Sequence, residues 1–269
     1  MLDWTILERA VAGAGRECDL AVAARFIDPP VRWDWRGDVQ IPAASTIKLA
    51  ILVAFMRAVD DGQLDFSERV ALKSEAKVPG TGVLLGLSDG LSLTLSDLVY
   101  LMIAVSDNTA SNLLLDRLGI PAIASTTAAL GLSRTELKRR FLGRAPRGQE
   151  PENFTSANDL VTLLSAIAED TAASAISCAR MRELLALQQH RDRIARFPPN
   201  GVAFGGKSGT LPGLCHDSGL LHGPTGTLAL AVLSRIRPGA SPYAMDERIG
   251  HIAAAACKAV GWGSVSCRE

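Results

Sequence analysis

The sequence predicts an α+β fold: a five-stranded antiparallel sheet made from the two ends of the chain, flanked by terminal helices, with an all-helical block inserted between the ends. Three observations predict it. Apolar, turn-bounded runs of strand length occur at 20–27 and 31–35, and again at 202–210, 217–222 and 227–234. Between them, apolar residues recur at helical spacing, with capping residues before them and glycines after. The connections between successive strands are too short for crossovers, so neighbouring strands run antiparallel.

In chain order, Trp4, Leu7 and Val11 mark a first helix over 3–12, ended by Gly13 and Gly15. Leu20–Ile27 reads as a strand stopped by Asp28-Pro29-Pro30, and Val31–Trp35 pairs back on it, with Trp33 and Trp35 on one face for core or rim packing. Pro42 fits the start of a helix because it fixes φ and lacks an N–H, and no Gly or Pro interrupts until Asp60-Asp61-Gly62. Gly80, Gly82, Gly86 and Gly90 punctuate a loop-rich stretch. Ser96 is positioned to cap a helix over Asp97–Val105, Thr109 one ending at Gly119, and Pro121 opens another that Gly131 closes. Ser156-Ala157-Asn158-Asp159 has the form of a capping box for a helix to Ala168, and 175–189 is helical. Pro198-Pro199-Asn200-Gly201 breaks this pattern before the last three strands, and Asp246–Val260 is a final amphipathic helix. The expected organisation is a sheet domain of residues 1–40 plus 200–269 and a helical domain of residues 41–199.

With 269 residues, 48% of them hydrophobic, the chain can bury a large core. Its 28 basic and 28 acidic side chains balance, so no net charge attracts nucleic acid or an anionic membrane. Lys138-Arg139-Arg140 reads as a solvated helix end. Cysteines 18, 178, 215, 257 and 267 show no metal-ligand spacing, and their odd, scattered placement suits a reducing compartment. The opening Met1–Arg9 carries acids and no signal-like apolar core, and no apolar run reaches spanning length. A cytoplasmic location and a small-molecule partner, without metal or cofactor, are the expectation.

The chemistry centres on Ser45 and Lys48. Ser45 falls in the first turn of the helix begun at Pro42, where free N–H groups favour a developing oxyanion. Lys48 follows at i+3 on the same face, ahead of an almost wholly apolar run, where a lysine is costly unless paired or neutral. Alone, this arrangement also describes an ordinary capping serine. Two triplets downstream change its meaning: Ser106-Asp107-Asn108 between two helices, and Lys207-Ser208-Gly209 on a strand, where Gly209 permits close backbone approach. S-x-x-K, then S-D-N about 60 residues on, then K-[ST]-G about 100 further, is the set of serine acyl-enzymes. Gly201–Ser208 also fits G-x-x-x-x-G-K-[ST], but Gly209–Gly213 cannot open the helix that a phosphate loop requires.

On these motifs, with Leu91–Leu98, Ser106–Leu114, Lys207–Gly213 and His216–Gly219, the chain resembles the class A β-lactamases and their serine-hydrolase relatives over nearly its whole length. The resemblance implies an acyl-enzyme at Ser45, with Lys48 as base. It implies that Ser106 relays a proton to the leaving group, assisted by Lys207, and that Asn108 holds Lys48 or a substrate carbonyl. The backbone N–H groups of Ser45 and Thr210 would form the oxyanion hole. Lys207 with Ser208 or Thr210 would attract a substrate carboxylate, and Gly209 would line that site.

One departure stands out. Class A enzymes carry E-x-x-L-N on a long loop, whose Glu activates the deacylating water. Here the loop is short and reads Glu150-Pro151-Glu152-Asn153, so Glu150 and Glu152 are candidates for that base or simply exposed acids. Two related readings stay open: a D-alanyl-D-alanine peptidase, and a penicillin-binding protein that acylates without turnover. No G-x-S-x-G elbow is present, and His190, His216, His222 and His251 show no metal spacing.

Overall fold

The computed structural model of the protein describes residues 2–15, 18–239 and 241–263. Helix α1 (Thr5–Ala14) precedes β1 (Cys18–Phe26) and β2 (Val31–Trp35). A short β3 (Ile41–Pro42) leads through a 3-10 turn, Ala44–Ile47, into α2 (Lys48–Asp60). Then follow β4 (Arg69–Ala71), β5 (Ser92–Thr94), α3 (Leu95–Ala104), α4 (Asn108–Leu118) and α5 (Ile120–Ala129). After β6 (Phe154–Thr155) come α6 (Ala157–Ala168) and α7 (Ala175–Ala186), and the chain closes with β7 (Ala203–Leu211), β8 (Leu214–Gly223), β9 (Gly226–Ile236) and α8 (Pro242–Ala259).

The five long strands form one antiparallel sheet in the order β2-β1-β9-β8-β7. The two ends of the chain meet where β1 pairs with β9, Ala23 opposite Ala231. Both faces of this sheet are covered, so its central strands are buried almost throughout instead of alternating with solvent. On one face Leu20, Val22, Leu230 and Val232 pack against α1 and α8. On the other, Ala21, Ala23, Ala229 and Ala231 present a low surface on which α6 lies, and that core continues into α2 and the other inserted helices. Helix α2 runs through the middle of this second layer with Leu49 to Met56 all buried. Truncating a side chain such as Phe55 there costs about 3–5 kcal/mol. Trp33 stacks on Trp4 at the rim, with 6.5 Å between ring centroids.

Several boundaries differ from expectation for local reasons. Helix α1 continues through Gly13 and is capped by Gly15. Helix α3 is capped by Thr94, not Ser96, because Thr94 and Asp97 complete a reciprocal capping box. Asp107, not Thr109, caps α4, so Asn108 belongs to the helix itself. The loop-rich stretch contains the β4–β5 pair, and β3 pairs with β6, two small ladders too short to show periodicity. Lys138-Arg139-Arg140 is no helix end: the segment is irregular, and the Arg139 side chain is 90% buried. Cys178, Cys215 and Cys257 are free and buried, Cys18 is buried, and Cys267 lies outside the described residues. Among the described residues, no helix is long and apolar enough to cross a membrane.

Candidate active site

Ser45 sits in the 3-10 turn that precedes α2, tighter than the α-helical start the sequence suggested. Ala44 enters this turn at φ 47°, and β7 lies directly against it: a Cβ on Gly209 would come 3.1 Å from the Ser45 nitrogen. Glycine is therefore the residue that lets strand and turn approach. The segment preceding the turn is fixed by Ala43 N–H donating to the Asn153 carbonyl at 2.8 Å, and by His216. His216 is fully buried in β8, away from any cleft, and burial lowers its pKa to about 4. Its Nδ1 receives the Ser234 N–H, so its Nε2 carries the proton donated to the Pro42 carbonyl, 3.0 Å away.

Lys48, the first residue of α2, has no exposed surface. Its Nζ lies 2.6 Å from the Ser106 carbonyl oxygen, 2.9 Å from Asn108 Oδ1 and 3.1 Å from Ser106 Oγ, with the Phe141 ring centroid 4.6 Å away. Burial holds its pKa well below the ordinary lysine value; the nearby Lys207 lowers it further and Asp107 opposes. A neutral amine satisfies this geometry: two N–H groups serve the two carbonyl oxygens, and the lone pair accepts the Ser106 hydroxyl.

The Ser106–Asn108 turn is held against its own preference. Ser106 adopts φ 58°, a conformation costing a non-glycine residue about 1–3 kcal/mol. Its carbonyl is bound by Lys48 and by the Thr81 hydroxyl at 2.7 Å. Asp107 accepts N–H groups from Val83 at 2.6 Å, Leu84 at 2.9 Å and, as the α4 cap, Ala110 at 2.9 Å. Asn108 donates to the Pro79 carbonyl, so its oxygen is turned to Lys48. The glycine-punctuated loop thus clamps the turn.

Lys207 is also fully buried, with its Nζ 2.9 Å from the Ser208 carbonyl. Burial lowers its pKa to about 7, Asp217 acting against the shift and Arg193 adding to it. Because Lys207 and Ser208 lie inside β7, which runs on to Leu211, no helix opens at them and the phosphate-loop reading is excluded.

Ser45 lines two adjoining cavities. One is bordered by Thr81, Ser106, Arg193, Ser208 and Thr210; the other by Asn108, Arg139, Phe141, Glu152 and Leu211. Arg193 is the residue the sequence reading missed. It comes from the irregular segment before β7 and donates to Thr210 Oγ1 at 2.8 Å, the His216 carbonyl at 2.7 Å and the Gly209 carbonyl at 3.1 Å. Its Nε pairs with Asp246 at 2.7 Å. No motif marks it, since one arginine in a loop has no periodic or spacing signal.

The two loop acids are placed differently. Glu150 is exposed and paired with Arg144, whose hydrogen bond lowers its pKa to about 2, and it does not line the Ser45 cavity. Glu152 lines it; its Oε1 accepts from Arg139 and from the Asn153 N–H, both at 2.7 Å. Among the described residues, no group of three or more His, Cys, Asp and Glu side chains is gathered as a metal ion would need.

Comparison with known proteins gives a consistent answer. Residues 6–260 match the beta-lactamase enzyme family. A beta-lactamase from Sphaerobacter thermophilus superposes with a TM-score of 0.91 at 38% identity, covering 97% of this chain and 98% of that one. PBP-A gives 0.87 at 26% identity, with 96% of each chain covered. The class A beta-lactamase of the last common ancestor of Gram-negative bacteria gives 0.86 at 25% identity, covering 95% of this chain and 99% of that one. The architecture is the class A beta-lactamase fold. The chain belongs to the beta-lactamase enzyme family, and it is a serine hydrolase.

Proposed function

We propose that the protein hydrolyses a β-lactam, or a related ester or amide bearing a carboxylate on its leaving half, through an acyl-enzyme at Ser45. The carrying observation is Lys48: a buried amine, its pKa lowered well below the ordinary lysine value by its surroundings, bound to both Ser106 and Asn108 at the base of a cleft that Ser45 lines. Ser45 Oγ attacks the carbonyl carbon while its proton passes to the Lys48 nitrogen, directly or through the Ser106 hydroxyl. The oxyanion is received by the backbone N–H groups of Ser45 and Thr210, a contribution of several kcal/mol. As the tetrahedral intermediate collapses, Ser106 returns a proton to the leaving nitrogen or oxygen, with Lys207 beside it. Lys207, Ser208, Thr210 and Arg193 supply the carboxylate subsite, and Gly209 brings β7 against the Ser45 turn.

For deacylation, a water must attack the ester carbonyl and give up its proton. Glu152 is the loop acid that lines the cavity, but it is committed to Arg139, and Phe141 occupies the space beside Lys48. A second reading follows from this observation: acylation outpaces release, and the protein behaves as a penicillin-binding protein with slow turnover. The structural neighbours include a PBP-A mutant in an acyl-enzyme complex with penicillin-G, at 25% identity.

Intact mass spectrometry after mixing with penicillin G tests both readings. A stoichiometric adduct that maps to Ser45 is expected, and its rate of disappearance separates rapid hydrolysis from slow release. No adduct and no hydrolysis across penicillins, simple esters and D-amino-acid amides would sink the proposal.

A further inference from the structure

We propose that Asp217 is a positioning residue for the carboxylate-binding end of the cleft: from behind β7 it anchors the segment carrying Arg193 and provides a buried counter-charge to Lys207. The inference rests on the roles of Lys207 and Arg193 proposed above.

Asp217 is fully buried on β8. In register it faces Ser208, and the adjacent pair is Lys207 with Ser218. Asp217 is also opposite Val232, which packs toward the terminal helices, whereas Ser218 is opposite Ala231, which packs toward the inserted block. Asp217 and Lys207 therefore lie on opposite faces of the sheet at neighbouring positions. The carboxylate accepts the Ile194 N–H on Oδ2 and the Ser218 N–H on Oδ1, each at 3.0 Å. Ile194 directly follows Arg193, so this bond fixes the peptide from which the arginine side chain departs. Arg193 is then tied outward to Asp246, Gly209, His216 and Thr210.

The charges around Asp217 come from every neighbouring element. Lys207 on β7 and Arg193 on the preceding segment both favour its ionised form. On its own strand, His216 is neutral above about 4, and burial pushes the Cys215 thiol up to about 12. Asp246 on α8 is engaged by Arg193 and by the Cys215 thiol. Asp217 is thus the buried carboxylate left to balance Lys207. Its own pKa is raised to about 6 by burial, so Asp217 and Lys207 are both charged between about 6 and 7. Since Asp217 raises the pKa of Lys207, removing its charge makes Lys207 lose its proton at lower pH.

The experiment measures the acylation rate constant and the apparent dissociation constant against pH for Asp217→Asn and the wild type. Penicillin G is the carboxylate-bearing substrate and p-nitrophenyl acetate the uncharged one. Asparagine keeps an oxygen for the Ile194 N–H. The expected result is about fivefold weaker penicillin binding at pH 7, the drop in the protonated fraction when the Lys207 pKa falls by about one unit from about 7, with the maximal acylation rate within about threefold. The alkaline limb moves to lower pH, and the ester reaction is unchanged. Equal losses on both substrates with an unmoved limb would overturn the proposal and leave Asp217 a purely structural residue. Should Asp217→Asn not fold, carboxyl-carbon NMR compares wild type with Lys207→Met. Asp217 titrating at higher pH in the variant supports the pairing; an unchanged titration overturns it. Absence of a Ser45 adduct from either substrate is seen separately in the mass spectrum and removes the underlying reading along with this one.

Discussion

The floor of the cleft and the 139–153 segment that closes one side of it are stabilised by different means. On the floor, Lys48 and Lys207 are buried without carboxylates in hydrogen-bond contact; desolvation lowers the pKa of both, and Lys207 lowers that of Lys48 further. The hydrogen bonds there run to backbone and amide oxygens fixed by β7, α2, α4 and the clamped turn at Ser106. In the 139–153 segment each candidate base is already paired with an arginine: Glu150 with Arg144 at the surface, Glu152 with Arg139 at the cavity wall. The Arg144 hydrogen bond lowers the Glu150 pKa to about 2, which leaves it a weaker base than a free carboxylate. The Ser45, Lys48 and Ser106 side of the cleft is therefore preorganised, while the two loop acids are tied up in structure.

That contrast can be broken most sharply at Ser45. Ser45→Ala is expected to lower turnover at least about 10³-fold and abolish the covalent adduct while leaving the fold intact. A persisting adduct by intact mass would locate the nucleophile elsewhere. Lys48→Met should slow acylation by about 10²–10⁴-fold, the range for losing a positioned base, with little effect on release of an acyl group already formed. Stopped-flow separation of the two steps checks this. Glu152→Gln tests the wall: if Glu152 activates water, the acyl-enzyme lifetime lengthens about 10²-fold or more with an unchanged burst, whereas Glu150→Gln changes neither. Equal behaviour of the two variants would show that water is activated by another group.

The smallest effect concerns stability. His216 titrates at about 4 in the folded protein against 6.5 unperturbed, so the unfolded state binds its proton first. Its stabilisation is full above about pH 6.5 and is lost as pH falls toward 4. Asp217, raised to about 6, works in the opposite sense over the overlapping window, since its protonation on acidification relieves a buried charge. Thermal midpoints from pH 7 to 4 should therefore fall less in His216→Gln than in the wild type; identical slopes would show that His216 does not titrate as its burial implies.

Much of this was legible in the linear chain. Gly- and Pro-bounded apolar runs located all five long strands, and short connections made them antiparallel. Ser45, Lys48, Ser106, Asn108 and Lys207 were marked by short motifs because their local spacing is itself the signal: i+3 on a helix start, a capping turn, one strand position beside glycine. What failed were features whose cause lies elsewhere in the molecule. Thr94 rather than Ser96 caps α3 because its side chain meets that of Asp97, a choice among neighbouring candidates that pattern alone does not make. Arg139 was read as solvated, yet it turns inward because Glu152, thirteen residues later, is folded beside it. Arg193 carries no pattern and acquires its place from Gly209, Thr210, His216 and Asp246, brought together by β7, β8 and α8.

The sequence by itself determined the layer order of the fold and the identity of the residues around Ser45, since periodicity, caps and motif spacing are properties of short segments. Only the tertiary structure decided their electrostatics. Whether Lys48 and Lys207 are cations or bases depends on how completely water is excluded and which charges lie across the sheet, and desolvation and Coulomb interactions follow distance in space, not position along the chain.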